Sequence, residues 1–331
     1  MKMIKILLFL SVFMLLAGCG ASAPKPAPKP KQTPKWVNSV LPDDDSLHMY
    51  GLAIANNRDA AIKAALNDVI ARLGTTIESS YESIQKVDGA YANLKVTSSI
   101  KADVSKIKIN NYRVIKSHKL NYREFAVMLE IDKPKFIAGL KTDLQMKKKG
   151  ISEELLATKS MSAINRYNTK KELLQRAKSL LSVIYILIEL DPLFAKRENL
   201  DFVSRVNKSF LNEAKSLQFF VSGNTKAGKF VEKLKNYLAQ KGFRVAASKR
   251  GAIKILVNVK DMISRGYVRI AVLNLSIAVL DGSKRVGGKE LILKERYNNS
   301  LESVYKNASI HFEQEIQEKG INGVIGIDLK L

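Results

Sequence analysis

The chain is poor in the residue types from which compact catalytic and metal centres are built. Its 331 residues include one cysteine, one tryptophan and three histidines. A lone cysteine excludes an internal disulfide and a cysteine-type zinc site. His48, His118 and His311 lie far apart in sequence and do not suggest a histidine metal site. The motifs GxSxG and HExxH are missing, and no nucleophile–base pair can be named. The expectation is a protein that is not an enzyme, with no catalytic residues, no metal and no cofactor. Beyond the N-terminus, long apolar runs are scarce too. The most apolar stretch, Leu180–Leu190, is about half of the ~20 residues a bilayer span needs, and Glu189 interrupts it. It reads as a buried helix of an antiparallel pair. Acidic residues are in deficit, 31 against 55 basic ones, for a formal charge of +24.

What is present begins with a short export signal. Lys2 and Lys5 are followed by the apolar run Ile6–Leu16 and by the small pair Ala17-Gly18. Leu16-Ala17-Gly18-Cys19 has the form of a bacterial lipobox: the Cys19 thiol takes a diacylglycerol, cleavage follows Gly18, and the new amine is acylated. Cys19, the chain's single cysteine, is thereby the expected lipidation site. One acyl chain binds membranes only reversibly, whereas two or three make a firm anchor. Gly20 stands where an aspartate would favour retention in the inner membrane. The expected location is therefore the outer membrane, lipid-anchored and facing the periplasm.

Cleavage removes 18 residues and leaves 313, enough for two domains. Losing Lys2 and Lys5 lowers the charge to about +22. Export places nucleic acid out of reach. The remaining anions are lipid-A and phospholipid head groups, acidic polysaccharide and acidic protein surfaces. The lysines are spread along the whole chain, which an AT-rich coding sequence would also produce, so composition leaves both readings open.

Residues 19–35 read as a lipidated tether. Pro24, Pro26, Pro28 and Pro30 alternate with Lys25, Ala27, Lys29 and Lys31, a pattern that favours extended polyproline II. At ~3.1 Å per residue, residues 20–35 could hold the body roughly 50 Å from the lipid. Residues 36–150 are expected to form a first α+β domain. Its parts are an apolar strand at His48–Ala55, a cap and turn at Asn56–Asp59, and a helix over Ala60–Leu73 with small residues on one face. Gly74 is expected to stop that helix and Thr75–Val87 to form a strand, while 92–106 stays ambiguous. Ile107–Lys119 and Asn121–Ile131 form a hairpin, and Asp132-Lys133-Pro134 opens a helix. Residues 151–214 are expected to be a helical hairpin. Residues 215–331 form a second α+β domain with helices at Lys229–Gln240 and Leu301–Gln317. Its strands are expected at Leu217–Ser222, Phe243–Ala247, Ile253–Lys260, Tyr267–Leu280, Leu291–Asn298 and Val324–Leu331, with a turn at Asp281-Gly282. The fold class is α+β, two small sheet-plus-helix domains joined by a helical hairpin.

Two motifs invite a chemical reading. Gly223–Lys229 (GNTKAGK) fits the GxxxxGK of a phosphate-binding loop and sits between a strand and a helix. Phe230 stands where Ser or Thr should ligate Mg²⁺, however, and no hydrophobic strand ending in Asp is expected at a sensible distance to finish the site. The preferred reading is a turn entering a helix; a weaker one is anion capture by Lys226 and Lys229 at the helix N-terminus. Asp43-Asp44-Asp45 lacks the 12-residue calcium loop and reads as a solvated turn before the first strand.

Pro34-Lys35-Trp36-Val37, then Met49–Ala53, then Asp59-Ala60-Ala61 with Ala64-Ala65 resemble the Lpp-twenty family of bacterial outer-membrane lipoproteins over about residues 34–135. The C-terminal element order is similar, by topology alone, to small modules of flagellar-ring and CsgG- or TolB-like envelope proteins. The resemblance implies no catalysis. It implies a structural or assembly role in the cell envelope, extending to a flagellar disk or ring, with envelope proteins or further copies of the chain as partners. The alternative expectation is a basic module for an anionic envelope ligand such as lipid-A phosphate or polysaccharide.

Overall fold

The computed structural model describes residues 33–87 (78–87 as backbone alone), 104, 107–264, 269–298 and 300–330. Gly18, Cys19 and most of the tether lie outside these residues, as do most of 92–106 and Tyr267.

Two sheets organise the α+β fold. The first has three antiparallel strands: β1 (His48–Ala55), β2 (Tyr112–Lys119) and β3 (Phe125–Asp132), with β3 in the middle. Between β1 and β2, α1 (Arg58–Val87) crosses the sheet. Asn57 Oδ1 caps α1 by accepting from Ala60 N at 2.8 Å. The small-residue face does what its pattern predicts. Ala61, Ala65 and Val69 are buried against β1. The approach is so close that a Cβ on Gly51 would collide with the Ala65 carbonyl and lie 2.9 Å from Val69 Cγ2.

Thr75–Val87 is not a strand, and Gly74 does not end the helix; α1 runs unbroken to Val87. The buried positions Ala61, Ala65 and Val69 continue at the same spacing through Leu73, partly buried, to fully buried Ile77. Packing of this stripe outweighs the ~1 kcal/mol that glycine costs a helix interior. The threonines adapt by bonding backward, Thr75 Oγ1 to Ala71 O and Thr76 Oγ1 to Arg72 O, each at 3.1 Å.

The hairpin β2–β3 forms as expected. Asp132 then caps α2 (Lys133–Ala157) by accepting from Lys135 N at 3.0 Å, with Pro134 in the first turn. Because α2 runs across position 150, the helical middle is continuous with the first domain. It continues through α3 (Ala163–Ser179), α4 (Leu181–Leu190) and α5 (Lys196–Ser216). The apolar α4 is buried, and among the described residues no helix is long and apolar enough to cross a membrane. Its Ile184 and Leu187 share one core with Met49, Leu129 and Ile131 of the sheet and Val203 of α5.

The second sheet has the order β5-β4-β6-β7-β8. β4 (Gln218–Gly223) runs parallel to β5 (Arg244–Val245) and β6 (Ile253–Ile263). Beyond β6, β7 (Ile270–Asp281) and β8 (Lys284–Arg296) are antiparallel. The Asp281-Gly282 turn joins β7 to β8, and β8 starts earlier than the expected Leu291 because Gly287 and Gly288 let it pass a bulge. α6 (Gly228–Gln240) and α7 (Leu301–Ile325) cover one face, where Phe230 and Phe312 meet edge to face at 5.4 Å.

Val324–Leu331 is not a strand. α7 extends past a kink at Gly320 to Ile325 and ends in left-handed Gly326 (φ 65°). Ile327 and Leu329 are buried in strand-like alternation with exposed Asp328. β8 reaches this segment only through Gly288 N to Gly326 O (3.3 Å), and beyond it side chains take the backbone groups: Asn322 holds both Leu329 O (2.8 Å) and Leu329 N (3.1 Å).

Candidate functional site

Gly223 ends β4 where a Cβ would collide with Val257 O of β6 and stand 2.6 Å from Ala227 Cβ. Glycine is needed there for strand-to-loop packing. Asn224 ties the loop to β6 by donating to Asn258 Oδ1 (2.8 Å) and Val259 O (2.9 Å) and accepting from Val259 N (3.2 Å). Lys226 pairs with Asp261, whose carboxylate is 10% exposed. That pairing holds the Asp261 carboxyl below its usual range and raises the lysine. Burial, reinforced by the Asp261 charge, raises Tyr305 beside them. Lys229 is half-buried on the first turn of α6. The Asn224 and Lys226 side chains are therefore directed at the loop's own sheet.

Sequence reasoning missed a polar cleft on the first sheet. His48, Tyr50, Arg113 and Glu130 come from three strands, and the pairings Tyr50↔Glu130 and Arg113↔Glu130 bring them together. Arg113 Nε donates to Glu130 Oε1 at 2.8 Å, and His48 Nε2 lies 3.5 Å from the same oxygen. The hydrogen bond to Glu130 raises Arg113, while desolvation and then the Glu130 charge raise Tyr50. His48, Arg113 and Glu130 line a cavity of about 460 Å³ together with Asn110, Asn111 and Lys135. The strand-forming apolar runs of β1 and β3 were the available signal, but they could not show which strands pair. Asp45 closes one end, accepting from Leu47 N (2.6 Å) and His48 N (2.7 Å); these bonds hold its carboxyl below the usual range. The Asp43–Asp45 run is thus the turn that opens β1. The cleft can bind a polar group through its arginine and amides. Among the described residues, no cluster of three His, Cys, Asp or Glu side chains could hold a metal ion.

The second feature sequence did not reveal is the joint between the two cores. Tyr167 of α3 lies 5.5 Å from the Phe210 ring of α5 and 5.9 Å from the Phe243 ring of the second domain. Asn168 bonds the C-terminal tail twice: Nδ2 donates to Asp328 O (2.6 Å) and Oδ1 accepts from Lys330 N (2.9 Å). Asp281 Oδ2, at the β7–β8 turn, accepts from Ala163 N at 2.7 Å. Within the helical layer, buried Glu213 meets Arg166 (2.6 Å) and Lys170 (2.8 Å). Burial alone would raise the Glu213 carboxyl, but the bonds from Lys170 and Arg166 outweigh it and hold it below its usual range.

No protein-family model and no curated protein matches the chain. Among solved structures, the secreted protein HP1454 from Helicobacter pylori is similar at 14% identity and a TM-score of 0.43, covering 81% of this chain and 96% of that one. A minor lipoprotein from Acinetobacter baumannii is similar at 16% identity and a TM-score of 0.26, covering 32% and 91%.

Proposed function

We propose that this chain is an outer-membrane lipoprotein, facing the periplasm, with a structural or assembly role in the cell envelope. The observation that carries this reading is Leu16-Ala17-Gly18-Cys19 placed directly after a charged and apolar export segment. Cys19 anchors, residues 20–35 tether, and the body presents contact surfaces to envelope proteins or to further copies of itself. The joint through Tyr167, Asn168 and Asp281 supports such a role, since it links the two cores by rings, a doubly bonded amide and a carboxylate. The reading assigns no catalytic activity.

Cys19→Ser tests the anchor. Wild type should incorporate a labelled fatty acid and fractionate with the outer membrane after a salt wash, and the variant should do neither. Acylation of the variant, or outer-membrane retention without acylation, would refute it. A flagellar disk or ring is the finer proposal. Deleting the gene should then remove density around the motor in electron cryo-tomograms and weaken swimming; intact motors and normal motility would exclude it.

A further inference from the structure

The outer face of the second sheet carries a patch that the anchor and tether do not account for. α6 and α7 cover the inner face, where Ile255, Val257, Leu273 and Leu275 are buried. On the other face, among the described residues, large apolar side chains stand in solvent: Met262 and Ile292 are each 65% exposed and Ile270 37%. Cations stand beside them in the same pairing rows. Lys260 shares a row with Asn274 and Ile292, Met262 with Val272 and Lys294, and Ile270 pairs with Arg296.

The period-two alternation of the strands sorts the charges. Between Lys260 and Met262, Asp261 points inward to Lys226. Between Lys294 and Arg296, Glu295 points inward and meets His311 Nδ1 at 2.6 Å. The acids interleaved with these cations are thus removed to the opposite face. Glu290, in the next pairing row with Ser276 and Asn258, is an exposed acid on this face; beyond that row the outer end of the sheet is left apolar and positive, about three strands or 10 Å wide.

We infer that this patch, Lys260, Met262, Ile270, Ile292, Lys294 and Arg296, docks the second domain on an anionic phospholipid bilayer. Exposed apolar side chains ringed by cations match a surface of phosphate head groups over hydrocarbon, and each cation near such a surface adds to binding. The inference rests on the envelope placement proposed above. A periplasm-facing anchor inserts in the phospholipid leaflet, and a tether of roughly 50 Å keeps the patch within reach of that leaflet, so a weak second contact becomes effectively intramolecular.

The test uses unlipidated chain starting at Gly20, which keeps every described residue, so its outcome is independent of Cys19. Sedimentation is measured with vesicles of phosphatidylglycerol and phosphatidylcholine, against phosphatidylcholine alone. Binding should require phosphatidylglycerol and fall as salt rises. Lys260→Gln, Lys294→Gln and Arg296→Gln together should weaken it at least tenfold, and Met262→Ser with Ile292→Ser should weaken it too. The same charge change at exposed Lys235, Lys249 and Arg250, off the patch, should alter binding less than threefold. Equal loss in both triple variants would mean diffuse charge and overturn the inference. So would no binding to the anionic vesicles, or a patch that instead captures an acidic envelope protein.

Discussion

Replacing Gly51 and Gly74 by alanine should move stability in opposite directions, although both glycines are buried in the first domain. At Gly51 the new Cβ meets the Ala65 carbonyl, which is helix backbone and cannot rotate away, and stands 2.9 Å from Val69 Cγ2. Relief requires α1 to lift from β1, and overpacking of this kind costs about 1–3 kcal/mol. A clash with backbone places Gly51→Ala near the upper end. At Gly74 the new Cβ meets only Val104 Cγ1, at 3.7 Å, an ordinary contact. Position 74 is interior to a 30-residue helix, so alanine should gain up to about 1 kcal/mol from helix propensity. Trp36, the chain's single tryptophan, sits in the turn Lys35–Val37 whose Val37 is buried, so its fluorescence reports on this part of the body. In urea, the midpoint by Trp36 emission should fall by about 1 M for Gly51→Ala and hold or rise for Gly74→Ala, taking m near 2–3 kcal/mol/M. Destabilisation by Gly74→Ala of the same size as at Gly51 would refute the continuous helix and its close seat on β1.

Other outcomes follow from the joint and the loop. Asn168→Ala leaves Asp328 O and Lys330 N without their partner and should cost about 1–3 kcal/mol; faster amide exchange at residues 327–330 would register it before global unfolding does. The folded Glu213 carboxyl titrates below its unfolded value, so its contribution is present above the unfolded pKa near 4.3 and is lost as pH falls through the folded one. Urea midpoints from pH 7 down to pH 3 should therefore fall less steeply for Glu213→Gln than for wild type. At pH 7 that variant should be about 2–3 kcal/mol less stable, a figure discounted because Arg166 is 30% exposed. In the GxxxxGK loop, Gly223→Ala should destabilise by about 1–3 kcal/mol through its clash with Val257 O. Lys229→Ala should stay within about 0.5 kcal/mol of wild type by thermal melting, as a side chain with no ion pair among the described residues would.

Local patterns were reliable where one residue acts on its near neighbours. Asn57 and Asp132 cap helices, Asp281-Gly282 turns a hairpin, and the alanines of α1 let it lie on β1. The failures were of one kind. Thr75–Val87 has strand-like composition, and Val324–Leu331 has strand-like alternation. Each took its conformation from partners distant in sequence: α1 from the core that receives Ile77, the tail from Asn168, 160 residues away. The cleft of His48, Arg113 and Glu130 was hidden for the same reason, since strand pairing assembles it.

The sequence by itself determined the α+β class, because periodicities of 3.6 and 2 are local properties, and the proposed anchor at Cys19 rests on the sequence alone. Only the tertiary structure decided that Lys226 is committed to Asp261, that the helical middle joins the first core, and that the outer end of the second sheet is apolar and positive. Those outcomes depend on strand register and helix docking, which bring together residues tens to hundreds of positions apart.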